Sequence, residues 1–184
     1  MTRLQALEPN TATGKTKELF TAVQSKLGMV PNMMRTMGNS SALLEGYLNL
    51  SSALSHGTLG AKTGELIALT VSESNSCSYC LSAHTFIGAN LVKIDTATLT
   101  AARNGNATDP KLDAALQFAK ILTEKKGLVD NADVAAVKAA GFTEGEIGEI
   151  VGHVALNVLT NYFNNTAATE IDFPVVEAYA AATV

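Results

Sequence analysis

The sequence contains no tryptophan, and aromatic residues make up only 5% of it. A core must therefore come from small aliphatic side chains, which suit close packing of helix on helix. There is no basic excess either. The formal net charge is −4, the pI is about 5.3, and no run of like charge offsets that balance. Phosphate binding requires a basic face, so nucleic acid is set aside as a partner. No stretch approaches the roughly 18 apolar residues needed to cross a bilayer. Residues 1–9 lack the apolar segment of a signal peptide. The expectation is a cytoplasmic protein that acts away from membranes, so the sequons at Asn39, Asn49, Asn106 and Asn164 read as chance matches.

Only two cysteines are present, Cys77 and Cys80, which excludes a disulfide-stapled scaffold. A three-residue loop is a poor staple, and structural disulfides belong to exported chains. In a cytosolic setting a Cys-x-x-Cys pair more often carries redox chemistry or a metal.

With 184 residues, 47% hydrophobic and 16% charged, the chain suits one globular domain over 1–184. Its apolar spacing is helical throughout. Leu19, Phe20, Val23 and Leu27 share a face over 14–28, and Gly28 stops that helix. A short amphipathic turn follows at Met33, Met34 and Met37. A helix capped by Ser40 or Ser41 runs to about Ser55, and another spans about 61–74. Ser74-Asn75-Ser76 forms a break, because these side chains bond to nearby backbone. The next helix starts at Ser76 or Cys77 and runs to Asn90. Further helices are expected over 95–103, 110–126, 131–140 and 143–166, the last opened by a Thr143/Glu146 capping box. Alternation of strand type is missing nearly everywhere, so the fold class is all-α. Residues from about 168 to 184 form a C-terminal arm whose Phe173, Val175, Val176 and Tyr179 can pack on the same chain or on a neighbouring subunit.

On a helix, Cys77, Cys80 and His84 fall at i, i+3 and i+7 and share one face. Cys77 lies in the first turn, where unpaired N–H groups and the helix dipole favour a thiolate. His84 follows Cys80 by one turn, within reach of its proton. A second thiol one turn away can capture a sulfenic acid as a disulfide. Glu65, twelve residues before Cys77, either pairs with Lys62 on a solvated face or folds back to relay protons to His84. Glu73 is a rival carboxylate, expected at the exposed end of its helix. Three other readings of the cysteines stay open at this point: a zinc site with Glu65 as a fourth ligand, which lacks the usual second ligand pair, a structural disulfide, and two inert buried thiols.

The run from Glu65 to Cys77-Ser-Tyr-Cys80-Leu-Ser-Ala-His84 resembles the core of alkylhydroperoxidase D (AhpD), in the carboxymuconolactone decarboxylase-like superfamily. That signature is a Glu, eleven residues, then Cys-x-x-Cys-x-x-x-His, and every spacing is met. Gly28-Met-Val-Pro31-Asn32 and the stretch from Glu146 through His153 to Asn164 resemble its peroxidase-related branch. The resemblance covers about residues 15–170 and implies a helical bundle whose two-helix core hairpin, 61–92, carries the dithiol. It implies a thiol-dependent peroxidase with no bound cofactor, reduced by an external lipoyl-type dithiol. A lipoyl protein or a peroxiredoxin would be its partner, and the chain would assemble as a dimer, trimer or hexamer. By the same resemblance Cys80 with His84 is the activated thiol, Cys77 its disulfide partner and Glu65 the proton-relay base. One departure is Tyr79, which stands where founding members carry a relay histidine. That part of the relay is then absent or taken over by the Tyr79 hydroxyl.

The residues themselves leave the order of attack divided, since the helix dipole favours Cys77 and the neighbouring base favours Cys80. Attack by Cys80 is the choice made. The alternatives in function are lactone decarboxylation, which needs no cysteine pair, and a non-catalytic helical oligomer whose cysteines bind zinc or sense oxidation. His153 reads as a core or interface residue on an apolar helix, and His56 as exposed. Met29, Met33, Met34 and Met37 read as flexible packing that can line an apolar pocket. Asn161, Asn164 and Asn165 read as capping and subunit-contact residues.

Overall fold

The computed structural model describes residues 1–179; the last five residues expected in the C-terminal arm lie outside this range. The described residues form nine α-helices and no strand: α1 (Gly14–Leu27), α2 (Asn32–Met37), α3 (Ser41–Ser55), α4 (Gly60–Ser74), α5 (Ser78–Asn90), α6 (Thr96–Arg103), α7 (Pro110–Glu124), α8 (Asn131–Ala139) and α9 (Glu144–Ala167). The boundaries follow local chemistry. Ser40, Asp95 and Asp109 each accept the backbone N–H three residues on. Complete capping boxes open α8 (Asp130/Asp133) and α9 (Thr143/Glu146), satisfying N–H groups that the first turn leaves without partners. Among the described residues no helix is long and apolar enough to cross a membrane.

The central element is α4. Its residues Leu66, Ile67, Ala68, Leu69, Thr70, Val71 and Ser72 are consecutive and all buried. A helix buried on every side must be enclosed by others, and α4 packs against α5, α6, α7 and α9. The Thr70 hydroxyl donates to Leu66 O at 3.0 Å and to Ala102 O at 2.7 Å, tying α4 to α6.

The interior divides into two clusters. One joins α4, α6, α7, α8 and α9 through Leu66, Leu69, Leu116, Val137 and Ile150. The other joins α1–α3 to the start of α5, with Phe20, Met37 and Leu44 packed in the same cluster as Cys77, Tyr79 and Cys80. Burying a Phe, Met or Leu such as Phe20, Met37 and Leu44 contributes about 1.5–3 kcal/mol each, so the dithiol sits within a strongly held part of the molecule.

The arm packs on its own chain. The Phe173 ring lies 5.9 Å from Tyr79 and 5.8 Å from Phe86, centre to centre. The Val176 N–H donates to Ser82 Oγ at 2.9 Å, and the Tyr179 N–H donates to Glu73 Oε1 at 2.6 Å. Glu73 also pairs with Arg103 Nε at 2.7 Å, with its side chain only 11% exposed. The expectation of an exposed Glu73 is thereby corrected: a partner thirty residues away draws it inward.

Candidate active site

A tight turn joins α4 to α5 and delivers the first cysteine. Ser76 adopts φ +51°, in the left-handed region, and the Cys77 N–H returns to Ser72 O at 2.9 Å. Cys77 is therefore the N-cap of α5, with φ −96° and ψ 90°, rather than a first-turn residue. Its Sγ takes the place usually held by a Ser or Asp oxygen, accepting the Cys80 N–H at 3.4 Å. The two sulfurs lie 2.6 Å apart, with Cys77 donating to Cys80. Both thiols are free.

This arrangement separates the two thiols in acidity. The hydrogen bond to Cys80, then burial, then the charge on Cys80 all push the Cys77 thiol up. Burial also pushes the Cys80 thiol up, but the hydrogen bond from Cys77, the charge of His84 and the amides of Asn164 and Asn161 outweigh it. Cys80 is held below the ordinary thiol value. The helix-dipole argument for a more acidic Cys77 is thus overridden by the contact between the sulfurs.

Behind the thiols, Glu65 Oε2 is 2.8 Å from His84 Nδ1. The carboxylate therefore meets the imidazole and not Lys62. Burial works against the imidazolium, yet the Glu65 charge and hydrogen bond, with the Cys80 charge, raise the His84 pKa. The contact occupies Nδ1 and leaves Nε2 for exchange.

Cys80, Glu65 and His84 open onto a cavity of about 370 Å³. Its walls are largely apolar, with Met29, Met33, Met34, Leu54, Ile87 and Leu156 among them, and Phe173 of the arm closes one side. Met37 is fully buried in the core instead. Cys77 is 0% exposed and is not part of the cavity wall. Among the described residues no group of three or more His, Cys, Asp and Glu side chains is arranged to hold a metal ion.

The Tyr79 hydroxyl donates to Asp172 Oδ1 at 2.9 Å and accepts the Met33 N–H at 3.1 Å. It clamps α5 to α2 and the arm, and these two partners commit it. His153 lines the cavity from α9, and burial lowers its pKa. Gly64 makes room for it, because a Cβ there would stand 3.0 Å from His153 Cε1.

The asparagines of α9 do not act as caps. Asn161 Nδ2 donates to Ser72 Oγ at 3.2 Å and its oxygen accepts from Asn75 at 3.0 Å. Asn164 Nδ2 donates to Cys80 Sγ at 3.3 Å. Asn165 donates to Asn75 O at 2.9 Å. The signal for the buried pair was present in the spacing: Asn157, Asn161 and Asn164 fall at i, i+4 and i+7, continuing the inward face of Ile150 and Val154.

Fold and site define a class, the all-helical proteins with a buried dithiol beside a carboxylate–histidine pair. Comparison with known proteins narrows it. The sequence model of the carboxymuconolactone decarboxylase family matches residues 41–123. A solved alkylhydroperoxidase AhpD core, a peroxidase-related protein from Ralstonia eutropha JMP134, is 25% identical, with 93% of this chain and 92% of that chain covered and a TM-score of 0.83. A peroxidase-related protein from Silicibacter sp. TM1040 is also 25% identical, covering 92% and 94%, with a TM-score of 0.78. The debrominase Bmp8 in complex with 2,3,4-tribromopyrrole shares the fold at 20% identity, covering 94% and 92%, with a TM-score of 0.79. No curated protein sequence matches the chain. The family-model match and the two peroxidase-related structures support a place in the AhpD-like, carboxymuconolactone decarboxylase superfamily. These likenesses support an enzyme with a peroxidase-like or decarboxylase-like role.

Proposed function

We propose that the protein is a thiol-dependent peroxidase that reduces organic hydroperoxides through a Cys77/Cys80 dithiol–disulfide cycle. The observation that carries this is the asymmetry of the pair: Cys80 alone meets the cavity with a depressed thiol pKa, while Cys77 waits behind it with its sulfur 2.6 Å away.

The Cys80 thiolate attacks the outer oxygen of the hydroperoxide. An S–O bond forms and the O–O bond breaks, and the departing alkoxide takes a proton from His84, which Glu65 orients. Cys77 then attacks the sulfenic sulfur. The S–S bond forms and the hydroxyl departs as water with the Cys77 proton. Two electrons have passed from the thiols to the peroxide, giving one alcohol and one water. An external dithiol of the lipoyl type returns those electrons by exchange at the disulfide, carried by a lipoyl protein or passed on with a peroxiredoxin. The apolar walls favour an alkyl hydroperoxide over hydrogen peroxide.

The test is consumption of cumene hydroperoxide with dihydrolipoamide as reductant. The Cys80→Ser variant is expected to lose at least about a hundredfold in rate. Equal rates in the two proteins would sink the peroxidase reading.

A further inference from the structure

Asn164 carries a feature that the cycle above does not use. It is 3% exposed, and its Nδ2 donates to Cys80 Sγ, but its Oδ1 is buried with no hydrogen-bond partner. A buried amide oxygen left unpaired costs about 1–3 kcal/mol, and native structures keep few of them. The neighbouring Asn161 shows the contrast, with both ends of its amide satisfied.

We propose that Asn164 is a further catalytic residue, whose amide holds the Cys80 thiolate through Nδ2 and then receives the hydroxyl of the Cys80 sulfenic acid at Oδ1. The inference rests on the peroxidase reading for its second half only. An amide offers donors on one atom and an acceptor on the next, and those two needs arise in turn on one sulfur. The thiolate is acceptor-only and takes the N–H. The sulfenic acid places an O–H on that sulfur, and the partnerless oxygen lies one amide width from the atom already touching it. The hydroxyl's proton then points to Oδ1 while its oxygen stays clear of Cys77, which must reach the sulfur and not the oxygen. The resting oxygen is left unsatisfied because its partner exists only after the peroxide has been cleaved.

Other groups also bear on Cys80. They are Cys77, the His84 imidazole with Glu65 behind it, the Asn161 amide, and the Tyr47 and Tyr79 phenols, whose pKa values burial raises. The test therefore varies Asn164 alone. The reduced full-length protein and its Asn164→Ala variant are reacted with iodoacetamide across pH 4–9, with Cys80 modification read by peptide mass spectrometry. Loss of a hydrogen bond to a charged group is expected to raise the midpoint by about one pH unit, so that alkylation at acid pH slows about tenfold. An unmoved midpoint overturns the thiolate role.

Asn164→Leu keeps the volume, removes the donor and adds no charge. It is expected to raise the midpoint by a similar amount, and it decides the matter by the same criterion if thermal melts show that Asn164→Ala does not fold. For the second role, Cys77→Ser holds the sulfenic acid open to dimedone trapping after one equivalent of cumene hydroperoxide. Adding Asn164→Ala is expected to shorten its lifetime severalfold in favour of sulfinic acid. An equal lifetime overturns the acceptor role. If neither protein forms a trappable acid, the acceptor role falls together with the peroxidase reading, while the alkylation midpoints still judge the thiolate role.

Discussion

Cys80 and His84 titrate in opposite senses, and each pushes the other towards its charged form. The thiolate must form before attack and the imidazolium must persist to protonate the leaving oxygen. The pH profile of kcat/KM should therefore rise through the Cys80 midpoint, below the free-thiol value of about 8.5, and fall through the His84 midpoint, above about 6.5. Replacing Glu65 by Gln removes the largest influence that raises His84. The alkaline limb should then move to lower pH, which rate measurements over pH 5–9 will reveal. The same pair affects stability with a definite sign. A raised histidine pKa adds stability that is complete below about 6.5 and is lost as pH rises through the folded value. Denaturant titrations at pH 6 and pH 9 should find Glu65→Gln weaker by on the order of 1 kcal/mol at the lower pH and closer to the parent at the higher. Cys77, Cys80 and His84 were legible from spacing, because they are near neighbours in sequence; spacing left Glu65 divided between Lys62 and His84, and only the family resemblance put it in the relay. The acidity order was not legible, since it depends on how the Cys77 sulfur turns at an N-cap.

At the scale of elements, nearly every helix was visible in the sequence, since caps, glycine stops and 3.6-residue periodicity are local signals. What escaped was how the elements lock together. Spacing puts Asn161 and Asn164 on the inward face of α9, but their partners Ser72, Asn75 and Cys80 lie more than eighty residues away. The Tyr79 hydroxyl found its partners on α2 and on the arm, at separations of 46 and 93 residues. No local pattern encodes such pairings. Asp172 receives both the Tyr79 hydroxyl and the Asn32 N–H, the latter at 2.8 Å. Asp172→Ala strands both donors and is expected to destabilise the protein by about 2 kcal/mol. Urea unfolding checks this, the midpoint falling while the slope stays constant.

For the whole molecule, α9 links the site to the surface. Its inner face carries Asn157, Asn161 and Asn164, while its outer face leaves Val151 44%, Leu159 37% and Tyr162 56% exposed. Those three recur along one apolar stripe, and we propose that a second copy of the chain covers it. Light scattering should give a mass that is a multiple of 19.2 kDa, and Leu159→Glu should shift it towards the single chain. The overall architecture was legible because α4, buried from Leu66 to Ser72, and short connections leave few ways to pack the remaining helices. The methionine cluster hinted at the cavity, but its full wall was not legible, because it arises where several helices meet.

Cys77 is sealed and Cys80 alone faces the cavity, and this imposes a kinetic signature on the proposed cycle. Oxidant and reductant must enter by the same opening and act on the same sulfur, one after the other. Double-reciprocal plots should then be parallel, as in ping-pong turnover. At high concentration each substrate should inhibit competitively against the other by occupying the wrong form of the enzyme. A mixed disulfide trapped with a lipoyl donor should be found on Cys80, leaving Cys77 as the thiol that expels it.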